Sequence, residues 1–197
     1  YGCIYQGCYF FDGVDDYFTF PEGKYNHFGT EDFSISGWVR TNYSGHQSCI
    51  LSIASSSWGW RYGFTSRKPY FLYGDGTHKE GEIGNIYIDD NKWHHIVHLF
   101  NAGDKVETYI DGKYAGNANI SSITGPVDRG NVIYLGTMSG GSGWVEGYID
   151  ELSIYSGILS PSEIGSLYKA KKALFRDEIL LEGINEINIS NCNLTKA

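Results

Sequence analysis

Phe33, Ile35, Gly37 and Val39 alternate with Ser34, Ser36, Trp38 and Arg40. This is the period of two that a strand with one buried face produces. Shorter stretches of the same kind predict strands at Tyr9 to Phe11, Tyr17 to Phe20, Cys49 to Ala54, Arg61 to Thr65, Pro69 to Tyr73, His94 to Asn101, Lys105 to Ile110, Lys113 to Ala118, Val132 to Thr137 and Gly147 to Tyr155. Asp12-Gly13, Asp75-Gly76, Ala102-Gly103-Asp104 and Asp111-Gly112 separate them, and each accepts the positive φ that a tight connection demands. One helix is signalled. Ser160 is placed to cap it, Pro161 to open it and Glu163 to close a capping box, with Ile164, Leu167 and Tyr168 on one face and an end near Ala173.

Many short strands without long helices between them predict an all-β fold: an antiparallel β-sandwich or jelly roll of two sheets with one short C-terminal-side helix. Residues 1–173 are expected to form this sandwich. Residues 174–197 carry Ile179, Leu181, Ile184, Ile187 and Ile189 among acidic and Asn residues. They read as a strand-like extension that completes the sheet or links to a neighbour.

Composition narrows the function. Among 197 residues there are 16 Tyr, 5 Trp and 26 Gly but only 1 Met, which suits strands joined by tight turns. The net charge is −8 and no basic cluster is denser than Lys169, Lys171 and Lys172, so nucleic acid and anionic membranes are poor partners. No apolar run approaches the roughly 20 residues of a membrane span. The chain starts at Tyr1 without a signal-peptide pattern and reads as a mature product or an excised fragment. Cys3, Cys8, Cys49 and Cys192 allow three disulfide pairings and fit no zinc spacing. Acceptor sequons at Asn42, Asn119, Asn188 and Asn193 favour an extracellular or cell-surface address.

Three segments, in order, carry a family resemblance. They are Phe11-Asp-Gly-Val-Asp-Asp-Tyr17 followed by Phe33-Ser-Ile-Ser-Gly-Trp-Val39, Trp93-His-His-Ile-Val97 leading to Tyr109-Ile-Asp-Gly-Lys113, and Ile133-Tyr-Leu-Gly136 leading to Gly147-Tyr-Ile-Asp-Glu-Leu-Ser-Ile-Tyr155 and the helix start. Over about residues 9 to 168 the chain resembles the laminin-G-like domain, the pentraxin-type sandwich of the concanavalin A-like superfamily. The resemblance implies two apposed antiparallel sheets, one of them concave. Such domains usually carry a strand well upstream of the Phe-Asp-Gly motif, and only ten residues precede Phe11 here. The edge so exposed is expected to be covered by the segment around Ile179 to Ile189 or by strand exchange with another chain.

Tyr148, Asp150, Leu152 and Ile154 share a strand face in strict alternation, which would point a carboxylate the way of two aliphatic side chains. Such an acid needs hydrogen bonds, a shifted pKa or a metal. The turn Asp12-Gly13-Val14-Asp15-Asp16 offers hard oxygen ligands that suit Ca²⁺. The resemblance implies a structural calcium ion joining that turn to the late Asp strand, which nominates Asp12, Asp15, Asp150 and the Gly13 carbonyl; the alternative is that Asp150 caps backbone amides. Catalytic signatures are missing. Glu146 and Asp150 share a face, but the position between them holds Tyr148 and no acid follows at Ser153, so the three-acid pattern of a sandwich glucanase is absent, and His94 and His98 are too far apart along one strand to converge on a metal.

Aromatic plates mixed with polar groups suit pyranose rings, which offer C–H faces and directed hydroxyls. Trp58, Trp60, Arg61, Tyr73, Asp75, His78 and Trp144 provide that mixture. The expected function is a non-catalytic recognition or adhesion module that binds carbohydrate. The alternative is a structural or protein-interaction domain of a surface assembly that uses strand complementation; a glycoside hydrolase or lyase is the minor reading.

Overall fold

The computed structural model describes residues 7–20, 28–43, 45, 47–53, 57–65, 67–128, 132–138 and 140–173. They form twelve strands and one helix: β1 (Tyr9–Asp12), β2 (Phe18–Phe20), β3 (Phe33–Arg40), β4 (Ser48–Ser52), β5 (Trp58–Thr65), β6 (Lys68–Asp75), β7 (His78–Glu82), β8 (Trp93–Asn101), β9 (Lys105–Ile110), β10 (Lys113–Asn119), β11 (Ile133–Leu135), β12 (Glu146–Ser156) and α1 (Pro161–Ala173). One six-stranded sheet runs β1-β12-β3-β8-β9-β10 and the other β2-β11-β4-β5-β6-β7, with every pairing antiparallel. The chain is the two-sheet sandwich with a single short helix that the alternation predicts.

The core lies between the sheets. Phe33, Ile35 and Val39 of β3 and Ile96 and Phe100 of β8 face Trp60, Tyr62 and Phe64 of β5 and Phe71 and Tyr73 of β6. Two polar side chains bridge the layers. The Tyr62 hydroxyl donates to the Ile96 carbonyl at 2.9 Å, and His98 Nε2 lies 3.1 Å from the Tyr70 carbonyl while its Nδ1 accepts from Thr108 at 2.8 Å. Gly37 makes the first bridge possible. A Cβ there would lie 3.2 Å from the Tyr62 hydroxyl oxygen and 3.0 Å from Leu152 Cδ1.

The helix covers the outer face of the first sheet, packing Ile164 and Leu167 with Val97, Leu99, Tyr109, Tyr155 and Leu159. Its capping box forms as predicted, with Ser160 N–H on Glu163 Oε2 at 2.7 Å and Glu163 N–H on Ser160 Oγ at 3.3 Å.

Three details depart from the sequence pattern. Strand β7 was not predicted, because His78-Lys79-Glu80-Gly81-Glu82 alternates nothing apolar; it is an exposed edge strand held by main-chain pairing to β6. Strand β5 starts at Trp58, three residues before the predicted Arg61. In β12 the register slips between Asp150 and Ser153, with Glu151 at φ 50°. That bulge flips the side-chain parity. Ile149 points into the core before it and Leu152 and Ile154 after it, while Asp150 stands opposite Trp38 on the outer face.

Cys8 is disulfide-bonded and Cys49 is a buried free thiol; Cys3 and Cys192 lie outside the described residues. So does the expected extension, Ile179 to Ile189 included. No helix among the described residues is long and apolar enough to cross a membrane.

Candidate functional site

On the face of the second sheet turned away from the core, one row of cross-strand partners runs through all six strands: Thr19, Tyr134, Ser52, Arg61, Leu72 and Glu80. Arg61 sits near its middle. On its own strand the same face carries Gly59 and Gly63, so no side chain flanks the guanidinium along β5. Gly63 is required there, since a Cβ would stand 2.3 Å from the Ser48 carbonyl.

This outward face is nevertheless sheltered. Ser52, Leu72 and Cys49 are buried, and Tyr70 and Leu72 form a small apolar cluster of their own. At the β11 end Tyr134, Tyr17 and Trp144 make a half-exposed aromatic group, with Tyr17 centroids 5.9 Å from Trp144 and 6.5 Å from Tyr134. Trp144 is held by its main chain, whose carbonyl accepts from Ser48 Oγ at 3.1 Å, and by Gly143, whose carbonyl accepts the Cys49 amide at 2.8 Å.

Arg61 is only half-buried, but its Nε is shut off from solvent and bonds to nothing. The nearby acids are otherwise engaged: Glu80 accepts from the Tyr70 hydroxyl and Glu82 pairs with Lys68 at 3.6 Å. The Cys49 thiol beside it is neutral, because burial pushes its pKa up to about 12 against the pull of Arg61. Burial, reinforced by Glu80, also raises Tyr70. No anion among the described residues balances this guanidinium.

The residues predicted to touch ligand are scattered. Arg61, Trp144 and the exposed His78 belong to this outer face or its rim. Trp60 and Tyr73 do not. Both are cross-strand partners on the core side, Trp60 with no exposed surface against Phe28 and Phe33, Tyr73 against Phe33 and Phe100. Trp58 lies at the start of β5 against Gly76. Asp75 is a clamp: Oδ1 accepts from the Thr77 amide and hydroxyl at 3.3 and 3.1 Å, and Oδ2 from the amides of Thr124 and Gly125 at 3.2 and 2.7 Å. Tyr17 and Tyr134 were missed. Tyr134 shows its direction only through the pairing of β11, since Ile133 and Leu135 on either side of it point inward.

The acidic turn does gather oxygens. One carboxylate oxygen from each of Asp12, Asp15 and Asp16 lies within 4.8 Å of the others, and Gly13 bends the chain there at φ 81°. Glu146 is the cross-strand partner of Asp12, and its Oε2 lies 3.5 Å from where a Gly13 Cβ would be. Within the described residues no cationic side chain pairs with Asp12, Asp15 or Asp16. Asp150 is not brought to this turn. It stands four residues from Glu146 along β12, roughly 13 Å by the usual strand rise, and its Oδ1 accepts the Glu151 amide at 2.8 Å in the bulge.

The histidines divide by environment. His94 is clasped between Asp111 at 2.9 Å and Asp90 at 3.0 Å. Burial opposes its charge, but the two carboxylates outweigh it and raise its pKa. His95 and His98 are held down to about 4 by burial. The pair His94 and Asp111 ties the β8 start to the β9–β10 turn, where Asp111 also accepts the His95 amide at 3.0 Å.

Comparison with known proteins agrees with this architecture. A family model described as the concanavalin A-like lectin/glucanases superfamily matches residues 12–165. A non-toxic nonhemagglutinin of Paraclostridium bifermentans is 30% identical over 121 residues, 58% of this chain and 10% of that protein. The binding domain of Paraclostridial Mosquitocidal Protein 1 superposes with a TM-score of 0.65 at 18% identity, covering 82% of this chain and 47% of that one. The binding domain of botulinum neurotoxin DC, solved in complex with rat synaptotagmin II, superposes with a TM-score of 0.60 at 20% identity, covering 79% and 40%. The chain thus spans a small part of that relative and less than half of those binding domains.

Proposed function

The chain belongs to the concanavalin A-like lectin/glucanase superfamily, and from that premise we propose that it is a non-catalytic, extracellular recognition module that binds a saccharide of a cell surface. The observation that carries this reading is the outer face of the second sheet. There a half-exposed aromatic group, Tyr17, Tyr134 and Trp144, flanks a sheltered polar row centred on Arg61. Rings supply stacking surfaces, and the half-exposed Arg61 guanidinium and Tyr134 hydroxyl supply polar groups, the two things a pyranose needs. Resemblance to toxin binding domains supports recognition rather than turnover. So does the roughly 13 Å between Glu146 and Asp150 along β12, well beyond the ~5 Å of a retaining glycosidase pair. The exposed Asn42 and Asn119 sequons support the extracellular setting.

Calcium belongs to this proposal as a structural ion. Asp12, Asp15 and Asp16, with Glu146 beside them, are hard oxygens of the kind Ca²⁺ takes, with no cationic partner among the described residues, and the ion would neutralise a crowded turn at the sandwich edge. Asp150 is better accounted for by its bond to the bulge amide. Such an ion would hold the turn together and contribute stability.

The test is a glycan array screened with and without chelator. Saturable binding that Trp144→Ala and Tyr134→Ala each weaken supports the module. Turnover of any polysaccharide, or binding indifferent to both substitutions, sinks it.

A second reading rests on β1. It is an edge strand with Phe10 56% and Tyr9 37% exposed, whereas the opposite edge of its sheet, β10, is polar and bulged between Tyr114 and Gly116. Such an apolar edge suits strand exchange with another chain. Concentration-dependent self-association abolished by Phe10→Lys would favour it, and a monomer at all concentrations would exclude exchange between copies.

A further inference from the structure

We infer that the saccharide is anionic, and that its acid group is received by Arg61. The inference rests on the saccharide reading above and adds the class of ligand. A guanidinium that is half-buried and unpaired is an expensive thing to keep, because buried charges are ordinarily balanced by a partner. Among the described residues Arg61 has none: its Nε makes no hydrogen bond, Glu82 pairs with Lys68, Glu80 stands two strands away and is hydrogen-bonded to Tyr70, and the neighbouring Cys49, Ser52 and Tyr70 are neutral.

Its setting in the fold points the same way. Arg61 is on the third strand from one edge of a six-stranded sheet, with Gly59 and Gly63 beside it on the same face. Those glycines set no side chain against the guanidinium along its own strand, while Gly63 itself packs on the Ser48 carbonyl, so an acid group reaches Arg61 from the half-exposed end of its side chain. Ser52 and Tyr134 lead along the row from Arg61 toward Trp144. An acid group on Arg61 therefore places the remaining rings of an oligosaccharide toward the aromatic group. Charge contrast sharpens the choice. In a chain of net charge −8, an anionic ligand is repelled by the general surface, so Arg61, which has no ion-pair partner among the described residues, selects where it docks. A planar carboxylate suits the guanidinium fork best, and a sulfate ester offers the same charge with different oxygens.

The experiment uses the full chain on an array that carries sialylated, uronic-acid, sulfated and neutral glycans. Hits are titrated as matched pairs, the free acid against its methyl ester and the sulfate against the desulfated sugar. Binding should be confined to the acid-bearing members. It should weaken as NaCl rises, and fall roughly 10- to 100-fold on esterification or in Arg61→Gln, the range of a lost charged hydrogen bond. Arg61→Lys should recover only part of it. The esterified ligands and the salt series test the unmodified protein, so they decide the matter even where Arg61→Gln does not fold. Free acid binding better than sulfate identifies a carboxylate; the reverse identifies a sulfate ester. Neutral sugars bound as tightly as acids, with no salt dependence, overturn the inference and leave the saccharide reading standing. No glycan bound at all overturns both.

Discussion

Gly37 and Tyr62 should be energetically coupled across the sandwich. Gly37 and Ile96 are partners on neighbouring strands, and the Tyr62 hydroxyl reaches over from the opposite sheet to the Ile96 carbonyl at 2.9 Å. A methyl group at Gly37 would meet that hydroxyl at 3.2 Å and Leu152 at 3.0 Å, closer than carbon normally tolerates. Overpacking a core position costs about 1–3 kcal/mol. Tyr62→Phe removes one buried hydrogen bond, about 1 kcal/mol, since the carbonyl keeps its place in the sheet. In the double variant the hydroxyl that the methyl strikes is gone, so part of the Gly37→Ala penalty disappears. The sum of the single losses should exceed the double loss by on the order of 1 kcal/mol. Urea unfolding midpoints of the four proteins measure this, and each kcal/mol should also appear as roughly 2–4 °C in Tm. Losses that add to within about 0.5 kcal/mol would refute the argument, and would assign Gly37 to Leu152 alone.

The other predictions concern charge and capping. Stability should peak near pH 6.5, the ordinary histidine value. His94, raised above that value, loses its contribution as pH climbs through its folded pKa, and His95 and His98, depressed to about 4, lose theirs as pH falls from 6.5 toward 4. Chemical denaturation across pH should show His94→Gln flattening the alkaline limb and leaving the acid limb, and an unchanged alkaline limb would refute the clasp. Calcium should raise Tm relative to EDTA in the wild type and do so less in Asp15→Asn; equal melting in both media would remove the ion from the acidic turn. Asp75→Ala should cost about 1–2 kcal/mol, because four donors lose their acceptor, while saccharide affinity stays put; a loss of affinity at unchanged Tm would return Asp75 to the binding site. Ser160→Ala should cost about 0.5–2 kcal/mol of thermal stability by breaking the capping box.

How far the sequence could be read depended on whether a feature was local. The β3 strand and the Ser160–Glu163 capping box are local and formed as read, except that β3 buries both faces: Ser34, Ser36 and Trp38 on its polar side are buried too, with Trp38 stacked on Tyr168 of the helix. The β12 bulge is not announced by any residue type: Glu151 takes φ 50° although nothing in Asp-Glu-Leu-Ser requests it, and the one inserted position moves Asp150 away from Leu152 and Ile154. The error about Asp150 therefore followed from applying a sound period through an unseen slip. β7 was invisible for another reason, since an edge strand can be held by backbone pairing alone and its charged side chains protect the edge rather than pack. In Trp58-Gly-Trp-Arg-Tyr-Gly-Phe64 the alternation itself separates Trp60, Tyr62 and Phe64 from Gly59, Arg61 and Gly63. That pattern could have moved Trp60 to the core and left Arg61 alone on the other side. What it could not supply is the row to which Arg61 belongs. Thr19, Ser52, Leu72, Glu80 and Tyr134 reach it from five other strands, and each joins by a register fixed far away along the chain. A binding face assembled by pairing has residue types that a sequence displays and a geometry that only the fold creates, and the uncompensated charge of Arg61 is a property of that geometry.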